Sequence, residues 1–266
     1  MRKYPGYRLL VITAAVAVIS GCAGPGGQYA AGDADGLLNA VALDDVGAVR
    51  SAISRGVSPN QRIAAPGYSA GAPLLALAAR GGSVQVVRYL IAAGADINAR
   101  TSVNETPLML AAYFREGEGN SAAERHDEAM RILVAAGAQL ENHPHHYTPL
   151  AYAAYNNRQK ALRFLIERGA RVDADARNRV IYINTPLMMA AIQGHREIVR
   201  MLLRAGADPL VRVHLGSTAR EFAVKYRHTH IEPLIACAEA LPPGVRYAQR
   251  CEGTVAVLPQ GAAAEP

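Results

Sequence analysis

Short apolar blocks alternate with small or polar residues along the chain, from about residue 36 to residue 241. The clearest block has apolar residues at positions i, i+1, i+4 and i+5, which lie on one face of an α-helix: Ile198, Val199, Leu202 and Leu203. A second helix is predicted just before it, because the hydroxyl of Thr185 can accept backbone N–H groups and Pro186 suits the first helical position. Gly194 and His195 separate the two blocks and predict a tight turn. The pattern therefore indicates a helical hairpin.

The same hairpin pattern recurs along the chain. Thr-Pro-Leu begins at Thr106, Thr148 and Thr185, and each copy is followed by an Ala-Ala pair and later by a Gly-Ala step. A single pair of helices is too thin to bury its own apolar faces, so neighbouring pairs must stack. The recurrence predicts an all-α solenoid of five to six helix-turn-helix units.

These motifs resemble the ankyrin repeat, whose pattern is Thr-Pro-Leu-His-x-Ala-Ala, then Gly-His, then Val-x-x-Leu-Leu-x-x-Gly-Ala. The fifth unit matches nearly throughout, with Met188 in place of the family's His. The resemblance covers roughly residues 36 to 241 and implies short β-hairpin loops between units and a protein-binding function. The atypical first unit, 37–60, and the polar sixth unit, 216–241, are expected to cap the stack.

Two units are longer than the others. The third has about ten extra residues between its helices, centred on residues 117–121, and these polar residues predict a mobile surface loop. The fourth has about four extra residues in its connecting hairpin, around residues 177–182.

The N-terminus has the form of a secretory signal, because basic residues precede an apolar run from Leu9 to Ile19. The run is too short for a transmembrane helix, which needs about 20 residues. Ile19-Ser20-Gly21-Cys22 resembles the bacterial lipobox, which implies a signal peptide over residues 1–21, lipid on Cys22 and a flexible tether over 22–36. Ala23 after the cysteine implies an outer-membrane anchor facing the periplasm. The ankyrin domain is then expected over residues 37–241, with a C-terminal tail over 242–266.

Charge gives little indication of a partner. The formal net charge is +6, and loss of Arg2, Lys3 and Arg8 with the signal would leave +3. A balance this small does not indicate nucleic-acid binding. We expect a monomer that binds another protein and the membrane, and no cofactor.

Two cysteines, Cys237 and Cys251, remain after the lipidated one. In an oxidising periplasm this pair can form a disulfide that holds the C-terminal tail on the last unit. The alternative is two buried thiols.

Two fragments mimic catalytic or metal sites. Ser69 stands in a G-x-S-x-G sequence, but that motif requires a parallel sheet to present the serine, and here an inter-repeat hairpin is expected instead. The His143–His146 segment holds three histidines that could bind zinc or copper, although the absence of a suitable fourth ligand favours an adventitious surface site. We therefore expect no enzyme, and keep a serine hydrolase or a metal-binding protein as the lesser alternatives.

The resemblance places the partner-binding surface on the hairpin tips and on the residues after each Ala-Ala pair. The positions it selects are Arg80, Tyr113, Phe114, His145, Tyr147, Tyr155, Asn156, Tyr182, Ile192 and Gln193. Aromatic and arginine side chains are enriched in binding hot spots, although such rings can also pack between repeats. The partner could be an envelope protein that is scaffolded or protected, or a periplasmic toxic enzyme neutralised by an immunity protein.

Overall fold

The protein is described by a computed structural model, which covers residues 34–114, 120–141, 147–173, 184–212, 216–242 and 247–251. Six helix pairs follow one another within these residues, and the predicted all-α solenoid of stacked helix pairs is confirmed. The first helices of the pairs are α1 (Ala34–Ala42), α3 (Leu74–Gly81), α5 (Pro107–Ala112), α7 (Pro149–Tyr155), α9 (Pro186–Gln193) and α11 (Ala219–Lys225). The second helices are α2 (Val46–Ser54), α4 (Val84–Ala92), α6 (Asn120–Ala135), α8 (Gln159–Glu167), α10 (Arg196–Arg204) and α12 (Glu232–Glu239). A last turn of helix, α13 (Tyr247–Arg250), packs against α10.

Stacking follows the order of the chain. Each first helix packs against the first helix of the next unit, and each second helix does the same. The Ala-Ala pairs lie at these contacts and are fully buried, because alanine lets neighbouring helices approach closely. Leucine, isoleucine and valine side chains of the second helices complete one continuous core.

Threonine side chains set the starts of the later first helices. The hydroxyl oxygens of Thr106, Thr148, Thr185 and Thr218 each accept the backbone N–H three residues on. In the second unit Pro73 itself is the N-cap and provides no such bond, and the N–H of Leu74 donates instead to the Gln61 carbonyl. The early proline therefore moves this helix start to the end of a strand.

The glycine-rich segment around Ser69 is a two-stranded antiparallel hairpin. Strand β1 (Arg62–Ala65) pairs with β2 (Tyr68–Pro73), with Ile63 opposite Ala72. These are the strands among the described residues, so the inter-repeat hairpin expected there is present and no parallel sheet accompanies it in that part of the chain.

Two boundaries differ from expectation. Helix α6 has 16 residues where α4, α8 and α10 have nine, so the part of the expected loop from Asn120 onward is helical. Ala122, Ala123 and Glu124 are good helix formers and extend the helix N-terminally. Helix α1 begins at Ala34, three residues inside the expected tether.

Side-chain oxygens join successive units near their inter-repeat connections. Asn60, Asn98, Glu141 and Asp173 occupy equivalent positions, and each accepts a hydrogen bond from a backbone N–H of the following unit. The donors are the N–H groups of Asp96, Gln139, Arg171 and Asp208, at 2.7, 2.9, 2.7 and 3.1 Å. We call these four contacts the unit joints.

The C-terminal end is fastened covalently. Cys237 on α12 and Cys251 after α13 form a disulfide, with their Cα atoms 5.8 Å apart. Within the described residues no helix combines the length and the apolar character needed to cross a membrane. The segment expected to be a signal peptide, residues 1–21, and Cys22 lie outside these residues.

Candidate partner-binding surface

A single carboxylate lies where three consecutive units meet. Glu105 directly precedes the helix start at Thr106. Both its backbone carbonyl and its backbone N–H form hydrogen bonds with Thr101. The N–H of Thr101 donates to the Glu105 carbonyl at 2.9 Å, and the N–H of Glu105 donates to the Thr101 hydroxyl at 3.1 Å. The side chain therefore projects from a well-defined turn.

Two tyrosines from different units donate to this carboxylate. The hydroxyl of Tyr68, on β2, lies 2.8 Å from Glu105 Oε2, and the hydroxyl of Tyr152, on α7, lies 3.0 Å from Oε1. Burial, and next the charge of Glu105, raise the pKa of both phenols, so they remain protonated donors at neutral pH. Glu105 thus ties the connection before the second unit to the first helix of the fourth.

Two more tyrosine rings stand against Tyr152. The Tyr113 ring lies 5.4 Å from it, centroid to centroid, with an interplanar angle of 72°, and the Tyr147 ring lies 6.2 Å away at 81°. Such edge-to-face contacts are favoured by the ring quadrupoles. Tyr68 is only 4% exposed, whereas the other three rings are partly exposed. We call Glu105, Tyr68, Tyr113, Tyr147 and Tyr152 the Glu105 cluster.

Arg80 extends this surface towards the second unit. Its side chain is exposed, and its guanidinium lies 5.3 Å above the Tyr68 ring while Nη1 donates to the Pro66 carbonyl at 3.2 Å. Tyr155, Ile192 and Gln193 are partly exposed further along the stack. The residues selected from the sequence that keep accessible side chains are therefore Arg80, Tyr113, Tyr147, Tyr155, Ile192 and Gln193.

Phe114 and Asn156 were expected on this surface, and that prediction is wrong. Phe114 is 8% exposed, and its ring stacks on His126 with centroids 4.3 Å apart. Asn156 is 7% exposed and donates from its side-chain nitrogen to the Tyr152 carbonyl at 3.0 Å. The Phe114 ring packs between the third and fourth units, and the Asn156 side chain folds back onto its own helix, α7, so both side chains are buried.

Beneath Phe114 lies a buried polar group that the sequence did not reveal. Arg158 is ion-paired with Asp127, and its guanidinium lies 5.3 Å from the Phe114 ring centre. His126 places its ring nitrogens 2.8 Å from the Ala122 carbonyl and 2.9 Å from the Arg80 carbonyl, and burial lowers the pKa of the imidazole. These groups fasten the second, third and fourth units together.

Other histidines have the same fastening role. His195 Nε2 lies 3.0 Å from the Tyr155 carbonyl, and His228 Nε2 lies 2.9 Å from the Ile192 carbonyl, in each case on the preceding unit. Arg158 occupies the equivalent place in the fourth unit, where the Gly-His motif is absent.

The catalytic and metal candidates gain no supporting geometry. Among the described residues no group of three or more His, Cys, Asp or Glu side chains could hold a metal ion. The His143–His146 segment lies outside the described residues, as do the selected residues His145 and Tyr182.

The set chosen from the sequence missed Tyr68 and Tyr152, and it left out Glu105 although that residue stands at a hairpin position. Glu105 stands directly before a Thr-Pro helix start, and Tyr152 stands directly before an Ala-Ala pair. An ionisable or aromatic residue at either of these two repeat positions is a signal from which Glu105 and Tyr152 could have been selected. Their convergence depends on stacking across units, which local sequence does not give.

Comparisons with known proteins agree with this architecture. A family model for ankyrin repeats in three copies matches residues 37–120, and one for ankyrin repeats in many copies matches residues 150–203. Together these ranges cover more than half of the chain.

Among curated proteins, a mitochondrial disaggregase from Bos taurus is 31% identical over 147 residues, which is 55% of this chain and 20% of that protein. The palmitoyltransferase Hip14 of Drosophila melanogaster is 42% identical over 86 residues, 31% of this chain and 13% of that protein. The ankyrin repeat and KH domain-containing protein mask-1 of Caenorhabditis elegans is 33% identical over 131 residues, 48% of this chain and 4% of that protein. The chain thus spans a fifth or less of the length of each of these relatives.

Proposed function

Since this chain belongs to the ankyrin-repeat family, whose repeats form protein–protein interaction modules, we propose that it captures a partner protein on the face that carries the Glu105 cluster. The observation that carries the proposal is that Tyr68 and Tyr152 meet at one carboxylate, while Arg80 lies over the Tyr68 ring and the partly exposed rings of Tyr113 and Tyr147 lie against Tyr152. Tyrosine and arginine are the residue types that most often contribute binding energy at interfaces.

The arrangement of this face also supports binding. Hydrogen bonds from two units hold the cluster, and a core shared between neighbouring units supports it from below. A preformed surface loses little conformational freedom on association, so more of the contact energy appears as affinity.

The proposal places the protein in the bacterial envelope, with lipid on Cys22 as its anchor. Its support is the N-terminal sequence, in which a basic and apolar segment ends at Gly21-Cys22. A Cys22→Ser variant should lose incorporation of labelled palmitate and leave the membrane fraction. Retention of label would show that the cysteine is not the acceptor.

Partner capture tests the proposed face. Tyr113→Arg and Tyr155→Arg should abolish recovery of the partner in affinity purification from envelope extracts, followed by mass spectrometry, because each adds a large charge within the surface. Thermal melting should stay near that of the wild type, since both side chains are partly exposed. Glu167→Arg on the exposed side of α8 is the matched control and should capture normally.

Capture by both tyrosine variants at the wild-type level would show that another face binds. A stoichiometric toxic enzyme in the wild-type eluate would indicate an immunity role, and a resident envelope protein would indicate a scaffold.

A further inference from the structure

The Glu105 carboxylate has no ion-pair partner among the residues that the structure describes. The ion pairs among the described residues involve Asp127, Glu128, Glu141, Glu197, Glu221, Glu232 and Glu239, and none involves Glu105. The phenols of Tyr68 and Tyr152 donate to both of its oxygens, but they are neutral groups. They stabilise the anion without balancing its charge.

Two arginines on this side of Glu105, Arg62 on β1 and Arg80 on α3, have other partners, and Arg80 also acts electrostatically on the Tyr68 phenol. Arg62 donates to the Arg100 carbonyl at 2.8 Å and to the Gly71 carbonyl at 2.9 Å, and Arg80 donates to the Pro66 carbonyl at 3.2 Å. Asp127 differs from Glu105 in this respect, because its carboxylate is ion-paired with the buried Arg158. Glu105 is only partly buried, so a cation from outside the chain can approach it.

Aromatic rings pack beside the Tyr152 phenol that donates to Glu105. The rings of Tyr113 and Tyr147 stand at 72° and 81° to the Tyr152 ring, so the three rings form walls at steep angles to one another. The faces of such rings attract a cation, and an adjacent carboxylate adds to the attraction.

We propose that the Glu105 cluster is the seat for a basic side chain, lysine or arginine, that projects from the partner protein. The inference deepens the proposed function and rests on it. An apolar anchor at this place would desolvate Glu105 without supplying a counter-charge, and an acidic anchor would add repulsion. A basic side chain is the occupant that pairs with the carboxylate and also contacts the rings.

A small-molecule titration tests the chemistry of the seat without knowledge of the partner. The full mature chain with ¹³C-labelled tyrosine rings is titrated with N-acetyl-lysine methylamide up to about 0.1 M, because one cation–π contact is weak. We expect saturable ring shifts that diminish as sodium chloride is added. N-acetyl-norleucine methylamide, the uncharged counterpart, should bind at least about tenfold more weakly. Equal binding of the two probes, or no ring shift with the lysine probe, overturns the proposal.

Substitution of the carboxylate tests its role in the seat. Glu105→Gln keeps an oxygen that can accept a phenol hydrogen bond but removes the charge, so affinity for the lysine probe should fall at least about tenfold. Glu167→Gln makes the same change in net charge on the exposed side of α8 and should leave the titration unchanged. If Glu105→Gln proves too unstable to titrate, Tyr113→Leu removes one aromatic wall and should weaken the lysine probe several-fold. Wild-type affinity in either variant contradicts the seat.

The capture assay separates this inference from the proposed function. If Tyr113→Arg and Tyr155→Arg abolish capture but Glu105→Gln does not weaken it, the partner binds this face without a basic anchor, and the inference fails alone. If both tyrosine variants capture normally, the proposed face fails, and with it the assignment of the basic group to the partner.

Discussion

At the scale of single residues, the four unit joints differ in one chemical property. Asn60 and Asn98 supply neutral amide oxygens, whereas Glu141 and Asp173 supply carboxylates at the equivalent positions. Burial is the main cause that raises the pKa of both carboxyls, against smaller opposing effects of the backbone hydrogen bonds they accept. The N-terminal joints are therefore insensitive to pH and the C-terminal joints are not.

The sign of this sensitivity follows from linkage. A carboxyl whose pKa is raised in the folded state holds its proton to a higher pH than in the unfolded chain, where its pKa is about 4. Its contribution to the free energy of unfolding is thus present at low pH and declines as pH rises from about 4 through the raised folded value. Asp173→Asn should remove this decline and raise stability at pH 7 by roughly 0.5–1 kcal/mol, because the amide oxygen still accepts the Asp208 N–H without a buried charge.

Urea denaturation at pH 4 and pH 7 measures the effect of Asp173→Asn. The reverse change, Asn98→Asp, serves as the matched control and should introduce a decline with rising pH. An Asp173→Asn variant that is less stable than the wild type at pH 7 would contradict the account.

Local sequence predicted some residues well and others poorly. The threonine caps depend on neighbours a few residues away, and they were predicted correctly. The burial of Phe114 depends on His126 and Arg158, which reach it only after helices stack. A residue that follows an Ala-Ala pair can therefore face solvent or the next unit, and its type does not decide which.

At the scale of elements, the turns between paired helices that the structure describes in full each contain a left-handed residue. Gly82 and Gly194 fill this place with φ values of 65° and 74°, while Asn157 and Arg227 adopt φ values of 58° and 61°. Asparagine and arginine tolerate the conformation, so backbone strain alone does not explain glycine. At Gly194 a Cβ would lie 2.6 Å from His228 Nδ1 of the next unit, which makes close approach the second requirement.

Gly194→Ala should therefore cost more than Gly206→Ala. Both residues have positive φ, at 74° and 89°, but a Cβ at Gly206 meets nothing within 4 Å. We expect Gly206→Ala to lower the free energy of unfolding by about 1–2 kcal/mol from backbone strain, and Gly194→Ala by about 1–3 kcal/mol more from the contact with the imidazole.

Thermal and urea unfolding would give both values for the glycine variants. Adding His228→Ala to each glycine variant tests the cause, because the extra cost at Gly194 should shrink while the cost at Gly206 stays the same. Equal costs for the two glycine substitutions would show that contact with His228 does not matter.

At the scale of the whole molecule, each unit packs mainly on its neighbours, so stability is distributed along the stack and its ends are the weakest places. The repeat period predicted this architecture from the sequence. It did not predict that the third unit's insert lengthens α6, since helix-forming residues outweigh the loop-like residues beside them.

The Cys237–Cys251 disulfide reinforces the C-terminal end. It closes a loop across 14 positions of sequence and holds α13, which packs on α10. Replacing both cysteines with alanine should lower the free energy of unfolding by about 3 kcal/mol, because the unfolded chain gains conformational freedom without the crosslink. The loss of stability should be concentrated in the sixth unit.

Hydrogen exchange checks this prediction, because the amides of α12 should exchange faster than in the wild type. The NMR signals of the tyrosine rings in the Glu105 cluster should stay unchanged. A uniform rise in exchange along the solenoid would indicate that the units unfold as one cooperative block.

The three-unit span of the Glu105 hydrogen bonds has a consequence for recognition. Tyr68 and Tyr152 meet the same carboxylate only when the intervening helices are seated, so a partly unravelled molecule lacks the assembled pocket. Binding at the Glu105 cluster would then depend on the folded state of these units. A partly unfolded copy would not compete with intact copies for a partner protein present at low concentration.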